Sequence, residues 1–166
     1  MSNFEFSIRA FKAADKPAVH RVRIAAFAPV FASFRELAGP EIAPLLFAKA
    51  EEAQGAWLDK ICGEASAGHS VHVAVSSGEV VGFCDHSCNA ETLIGEIGLN
   101  GVHPDFAGGG IGAALYENAF ALMRSAGMKV AVVSTGGDTS HAPARAAYRK
   151  TGFDRAIPSV QLSRSL

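Results

Sequence analysis

Apolar and polar positions alternate from Phe4 to Ala10, as in a half-buried strand. The period then lengthens. Val19, Val22, Ala26 and Phe27 share one side of a helix that Asp15 can cap, running to about Ala28 with Pro29 as its expected stop. Phe31 to Gly68 reads as helical pieces broken at Gly39-Pro40 and at Pro44. Strand patterning returns over Ser70 to Val75. Ser77-Gly78 makes a tight turn into Val80 to Cys88, and Asn89-Ala90 turns the chain again into Thr92 to Val102, giving three antiparallel strands in a row. Gly110 to Ala126 is helical, with Ile111, Ala114, Leu115, Ala119 and Leu122 on one stripe and Gly127 as its stop. Val130 to Ser134 is a continuous apolar run, expected of a strand buried on both faces. Ser140 can cap a further helix with Pro143 in its first turn, ending near Gly152, and Phe153 opens a last extended piece through Val160 to Leu162. This order describes a mixed α/β domain built on one sheet.

Composition narrows the class. The 166 residues, 49% of them hydrophobic, suffice for one ordinary core, and no repeat or linker divides them, so 1–166 reads as a single domain. Lys and Arg number 15 against 16 Asp and Glu, for a formal net charge of -1, which gives no footprint for a nucleic acid. Three cysteines, Cys62, Cys84 and Cys88, argue against a disulfide framework and for a reducing compartment. Glu5 and Arg9 interrupt the first ten residues, which lack the apolar stretch of a signal peptide, and no apolar run is long enough for a bilayer. The expectation is a cytoplasmic protein without a membrane partner. Cys84, His86 and Cys88 alternate along one strand face, yet no fourth ligand is close in sequence, so no metal is expected.

The most informative stretch runs from Val102 to Gly112, between a strand and a helix start. Gly108, Gly109, Gly110 and Gly112 are costly to order, and they let an anion approach the unpaired N–H groups of the helix N-terminus. Gly108, Gly110 and Ala113 also match the dinucleotide pattern G-x-G-x-x-A. That match is weak, because the next strand ends in Ser134-Thr135 rather than in an acidic residue and too little chain follows for further βα units. No Lys-Ser or Lys-Thr follows the glycines, which excludes a Walker loop.

Val102 and Pro104, followed by Gly110 and Gly112, stand in register with the central motif of the GNAT superfamily of acyl-CoA-dependent acyltransferases. Ala144, Tyr148, Gly152 and Phe153 match a second motif at the expected separation. The chain thus resembles that superfamily, most sharply over Glu96 to Phe153. The resemblance implies a central, mostly antiparallel twisted sheet flanked by helices, and transfer of an acetyl group from acetyl-CoA to a primary amine by direct attack on the thioester. It implies that the co-substrate is held by Asn100, Gly101 and Val102, by Ala107, Gly108, Gly109, Gly110, Ile111, Gly112 and Ala113, and by His141. Ala107 stands where the family prefers Gln or Arg, and His141 where Asn is common. These departures keep a second reading open, a non-catalytic acyl-CoA sensor or interaction module.

The chemistry needs a base for the amine, donors for the oxyanion and a proton for the thiolate. Glu96 is the candidate base. It lies six residues before Val102, and even spacing predicts that the two share a face. Asp85 or a water relay is the alternative. Tyr148 aligns with the family's tyrosine beside the coenzyme sulfur and is the candidate acid. The acceptor site is expected from Val30 to Gly68 and from the loop after Val133. Its slight acidic excess, Glu51, Glu52 and Asp59 included, hints at a cationic amine. A small molecule, a peptide N-terminus and a lysine side chain all remain open as the acceptor, and a homodimer is compatible with the family.

Overall fold

The computed structural model describes residues 5–63 and 68–166. Five strands form one sheet in the order β1-β2-β3-β4-β5. They are β1 (Ser7–Ala10), β2 (His69–Ser76), β3 (Glu79–Asn89), β4 (Ile94–Val102) and β5 (Val130–Val133). The first four pair antiparallel and β5 joins β4 in parallel. The helices are α1 (Lys16–Leu46), α2 (Ala50–Ile61), α3 (Ile111–Ser125) and α4 (Ala142–Lys150).

Each face of the sheet carries its own core. Val19 and Val22 of α1 and Leu58 and Ile61 of α2 pack with Val73 and Phe83 on one face. Ile111, Leu115, Tyr116, Phe120 and Met123 of α3 pack with Tyr148 of α4, Cys84 and Ile97 on the other. A helix layer on each side explains why the central strand β3 is buried along nearly its whole length.

Five expectations need correction. Pro29 does not stop α1. Its missing N–H removes one hydrogen bond, and the helix continues against β3 and β4 as far as Gly39, where a φ of 74° breaks it before Pro40. Asp15 stands at the N-cap position, but its carboxylate makes no helix cap. It holds Arg9 at 2.6 and 2.8 Å and the Lys12 N–H at 2.8 Å instead. β5 is not buried on both faces: as the sheet edge it leaves Val130 53% and Val132 39% exposed. The stretch after Phe153 forms no strand, and Ile157, Val160 and Leu162 lie exposed. The α3 stripe also turns slightly, so that Tyr116, Phe120 and Met123 are buried while Leu122 faces outward.

Candidate active site

The site grows from an irregularity in β4. Cys84 pairs with Asn100 and His86 with Ile97, so Asp85 alone faces two β4 residues, Gly98 and Leu99. This is a β-bulge. The extra residue reverses the side-chain alternation. Glu96, opposite Ser87, faces the α1/α2 layer, whereas Asn100 and Val102, opposite Cys84 and Gly82, face the α3/α4 layer. The expectation that Glu96 and Val102 share a face fails for this reason. Glu96 shares its face with Asp85 and Gly101, and it is exposed.

Asp85 plugs the bulge. It is fully buried, and both carboxylate oxygens meet His69 Nδ1, at 3.0 and 3.1 Å. The Leu99 N–H donates to it as well. Gly98 has to be glycine, because a β-carbon there would overlap Asp85 Oδ2. Burial pushes the Asp85 carboxyl upward; the hydrogen bond from His69 opposes this and the nearby charge of Glu96 adds to it.

Beyond the bulge β4 loses its other neighbour. Pairing with β5 ends at Ile97 with Val133, while pairing with β3 continues to Gly82 with Val102. From Gly98 to Val102 one edge of β4 therefore opens into a gap. Backbone groups along such an edge need partners, and a bound extended ligand can supply them. On the α1 side the gap is tight: a β-carbon at Gly101 would meet the Ala26 methyl at 3.1 Å and the Phe27 ring at 3.7 Å.

On the α4 side stands Tyr148, 6% exposed. The Asn100 amide donates to the Tyr148 hydroxyl at 3.1 Å and to the Gly98 carbonyl at 2.9 Å. The Tyr116 hydroxyl donates to Asn100 Oδ1 at 2.7 Å, and the two tyrosine rings lie 5.0 Å apart. Asn100 thus orients both phenols at the open edge. Burial raises the Tyr148 pKa, with the Asn100 and Tyr116 hydrogen bonds opposing, so the phenol keeps its proton at neutral pH. Tyr116 was not among the expected site residues. The signal was its place one position round from Leu115 on the buried face of α3.

The glycine loop sits at the same end of the sheet. Gly108 (φ 78°) and Gly110 (φ 82°) adopt the left-handed region, and no neighbour crowds either, so backbone conformation is what demands glycine there. The first intrahelical bond of α3 runs from the Ala114 N–H to Gly110 O at 3.0 Å, which leaves Ile111, Gly112 and Ala113 N–H without helical partners. Ile111 is 1% exposed and pins the turn into the core, so only its backbone is available. The Ala107 N–H is already engaged by Pro104 O at 3.0 Å.

His141 begins α4, with its Nδ1 2.6 Å from Asp138 Oδ1 and its ring stacked 5.5 Å from Phe34 of α1. Burial alone would raise the Asp138 carboxyl. Hydrogen bonds from Ser140, Ser33 and His141 more than reverse this and hold it well below the usual carboxylate range. The loop after β5 is thereby tied to α1. Among the described residues, no group of three His, Cys, Asp or Glu is placed to hold a metal ion.

The parallel pair β4 and β5 thus parts beside a glycine-rich helix N-terminus, with a buried tyrosine facing the gap. The profile of the acetyltransferase (GNAT) family matches residues 32–153, and the chain belongs to that family. Mycothiol acetyltransferase of Saccharomonospora viridis is 37% identical over 93 residues, which is 52% of this chain and 30% of that protein, so the match takes in under a third of the relative. Among solved structures, the PaiA N-acetyltransferase of Thermoplasma acidophilum in complex with coenzyme A is similar with a TM-score of 0.70, at 16% identity over 93% of each chain. The ribosomal-protein-S18-alanine N-acetyltransferase of Escherichia coli gives 0.64 at 18% identity, over 92% of this chain and 80% of that one. At these identities the likeness is one of fold. No described helix is long and apolar enough to cross a membrane.

Proposed function

We propose that this protein transfers the acetyl group of acetyl-CoA to a primary amine, with Tyr148 as acid and Glu96 as base. One observation supports the reading above others. The unpartnered α3 amides, the free β4 edge and the Tyr148 hydroxyl converge on one gap, as a pyrophosphate, an amide-containing arm and a thioester in series require. The residues fit the co-substrate chemically. Gly108 to Ala113 hold the pyrophosphate through backbone N–H groups, and the β4 edge from Asn100 to Val102 pairs with the arm and polarises the acetyl carbonyl. His141, held by Asp138 at the start of α4, is assigned to the co-substrate on the family motif.

The bulge separates the proton carriers. Tyr148 stands on the α4 side of β4 and Glu96 on the α1 side, so acid and base approach the open edge from opposite layers. Glu96 takes a proton from the ammonium. The amine nitrogen then bonds the carbonyl carbon, the carbon–sulfur bond breaks, and Tyr148 gives its phenolic proton to the departing thiolate. The acylated nitrogen still carries one proton too many for an amide and returns it to the Tyr148 phenolate, so two protons leave the ammonium: one passes through Glu96 to solvent and one, by way of Tyr148, has reached sulfur.

Calorimetric titration with acetyl-CoA, with NADH as control, tests the binding half. An amine panel read by thiol release tests the rest. Binding without turnover of any amine would favour the sensor reading, and no binding of acetyl-CoA would end both.

A further inference from the structure

Between α1 and α2 lies a cavity of about 300 Å³, lined mainly by Ile24, Phe27, Ala28 and Phe31, with Glu51 and Glu52 at its side and Arg23 among its walls. That volume sits at the small end of ligand cavities. The lining is apolar apart from Arg23, Glu51 and Glu52, and Arg23 is 7% exposed.

The guanidinium of Arg23 is poorly satisfied. One nitrogen, Nη1, donates to the Glu51 carbonyl at 3.1 Å and to Gln54 Oε1 at 3.2 Å, both neutral acceptors. Nε is buried with no partner. Among the described residues no carboxylate lies within salt-bridge distance of it, although nine such pairs occur elsewhere. The acids in its field are committed to other cations. Glu51 is held by Arg35 at 2.6 Å through both oxygens, and Asp59 by Lys16 at 2.7 Å and His20 at 3.2 Å. Desolvation lowers the Arg23 pKa, against the pull of Asp59 and Glu51, but arginine stays charged. A buried cation without an anion is costly, so one placed beside an open cavity calls for an anionic ligand.

The cavity shares one wall residue with the approach to β4. Phe27, one helical turn after Arg23, lines the cavity, and its ring stands 3.7 Å from where a β-carbon on Gly101 would lie. Resting on the acetyltransferase reading above, we propose that the acceptor amine carries a carboxylate, which Arg23 anchors while the apolar body of the acceptor crosses Phe27 toward Gly101. The planar guanidinium suits a planar anion. Glu51 and Glu52 disfavour a second negative charge, so the class is an amine with one carboxylate and an apolar spacer.

Matched pairs test this: 5-aminopentanoate against 5-aminopentanamide, and glycyl-phenylalanine against its amide, each as acceptor with acetyl-CoA. The expected result is at least ~10-fold higher kcat/KM for the carboxylate of an accepted pair, as a charged hydrogen bond to a buried partner supports. Arg23→Gln is expected to erase that preference while leaving acetyl-CoA affinity unchanged, and Arg23→Lys to retain part of it. Should Arg23→Gln fail to fold, thermal shift of the unaltered protein decides, with carboxylates stabilising and amides not. Equal use of both members of every pair, or preference for amides, overturns the proposal and leaves the acetyltransferase reading intact. Loss of acetyl-CoA binding in the unaltered protein overturns that reading instead.

Discussion

Tyr148→Phe removes one oxygen and leaves the ring packed, so it separates chemistry from structure. The hydroxyl accepts from the Asn100 amide at 3.1 Å; its own reach to Asn100 Oδ1 is long, at 3.4 Å. Asn100 keeps Gly98 O and the Tyr116 hydroxyl, so a single amide N–H is orphaned. The stability cost is therefore about 1–2 kcal/mol, or ~2–8 °C in Tm for a chain of this size. Loss of a general acid costs about 10²-fold or more in kcat, with acetyl-CoA affinity within a few-fold. Thiol-release kinetics, calorimetry and differential scanning fluorimetry measure the three quantities. Tyr116→Phe is the control, since its hydroxyl meets the same Asn100 at 2.7 Å. It should lower Tm about as much and spare kcat. If Tyr148→Phe lowers Tm and kcat does not move, or if both variants lose kcat equally, Tyr148 is structural and the acid assignment is refuted.

Other expectations follow from the same geometry. Glu96→Gln should depress kcat in thiol-release kinetics while leaving Tm nearly unchanged, because the side chain is exposed. Gly98→Ala places a methyl against the Asp85 carboxylate, and should lower both Tm and turnover, as fluorimetry and kinetics would record together. Gly110→Val forces a β-branched residue to φ 82° and should weaken acetyl-CoA binding in calorimetry more than it lowers Tm. The Arg9 guanidinium holds the Asp15 carboxyl below its usual range, against burial and with help from the Lys12 N–H. A depressed carboxylate stabilises the fold above the unfolded pKa of ~3.9 and loses that contribution as pH falls through the folded value. The Tm gap between the unaltered protein and Asp15→Asn should thus be constant above about pH 5 and close on acidification.

Much of the architecture is legible along the chain because its signals are local. The Ser77-Gly78 turn, the stop at Gly127 and the apolar stripe of α3 depend on neighbours within a few positions. The glycine loop is legible too, since left-handed backbone at Gly108 and Gly110 is something only composition can announce. What escaped is non-local. Pro29 reads as a stop, yet packing of α1 on the sheet carries the helix past it. The bulge depends on Asp85 meeting Gly98 across two strands, so strict alternation assigned Glu96 and Val102 to one face. Arg23 carries no motif, and its significance lies in which acids are occupied elsewhere.

The bulge at Gly98 and Leu99 acts as a parity switch within one strand. Residues before it and after it obey opposite inside–outside rules, so β4 belongs to two layers at once. Removing a single residue there would keep the hydrogen-bonded ladder available to β3. It would also exchange the environments of everything on one side, turning Asn100 away from the tyrosines or Ile97 out of its core. When GNAT sequences are lined up, a one-position gap in this strand is therefore a change of chemistry rather than of length. Transplanting the segment between family members would succeed only with the bulge and its aspartate moved together.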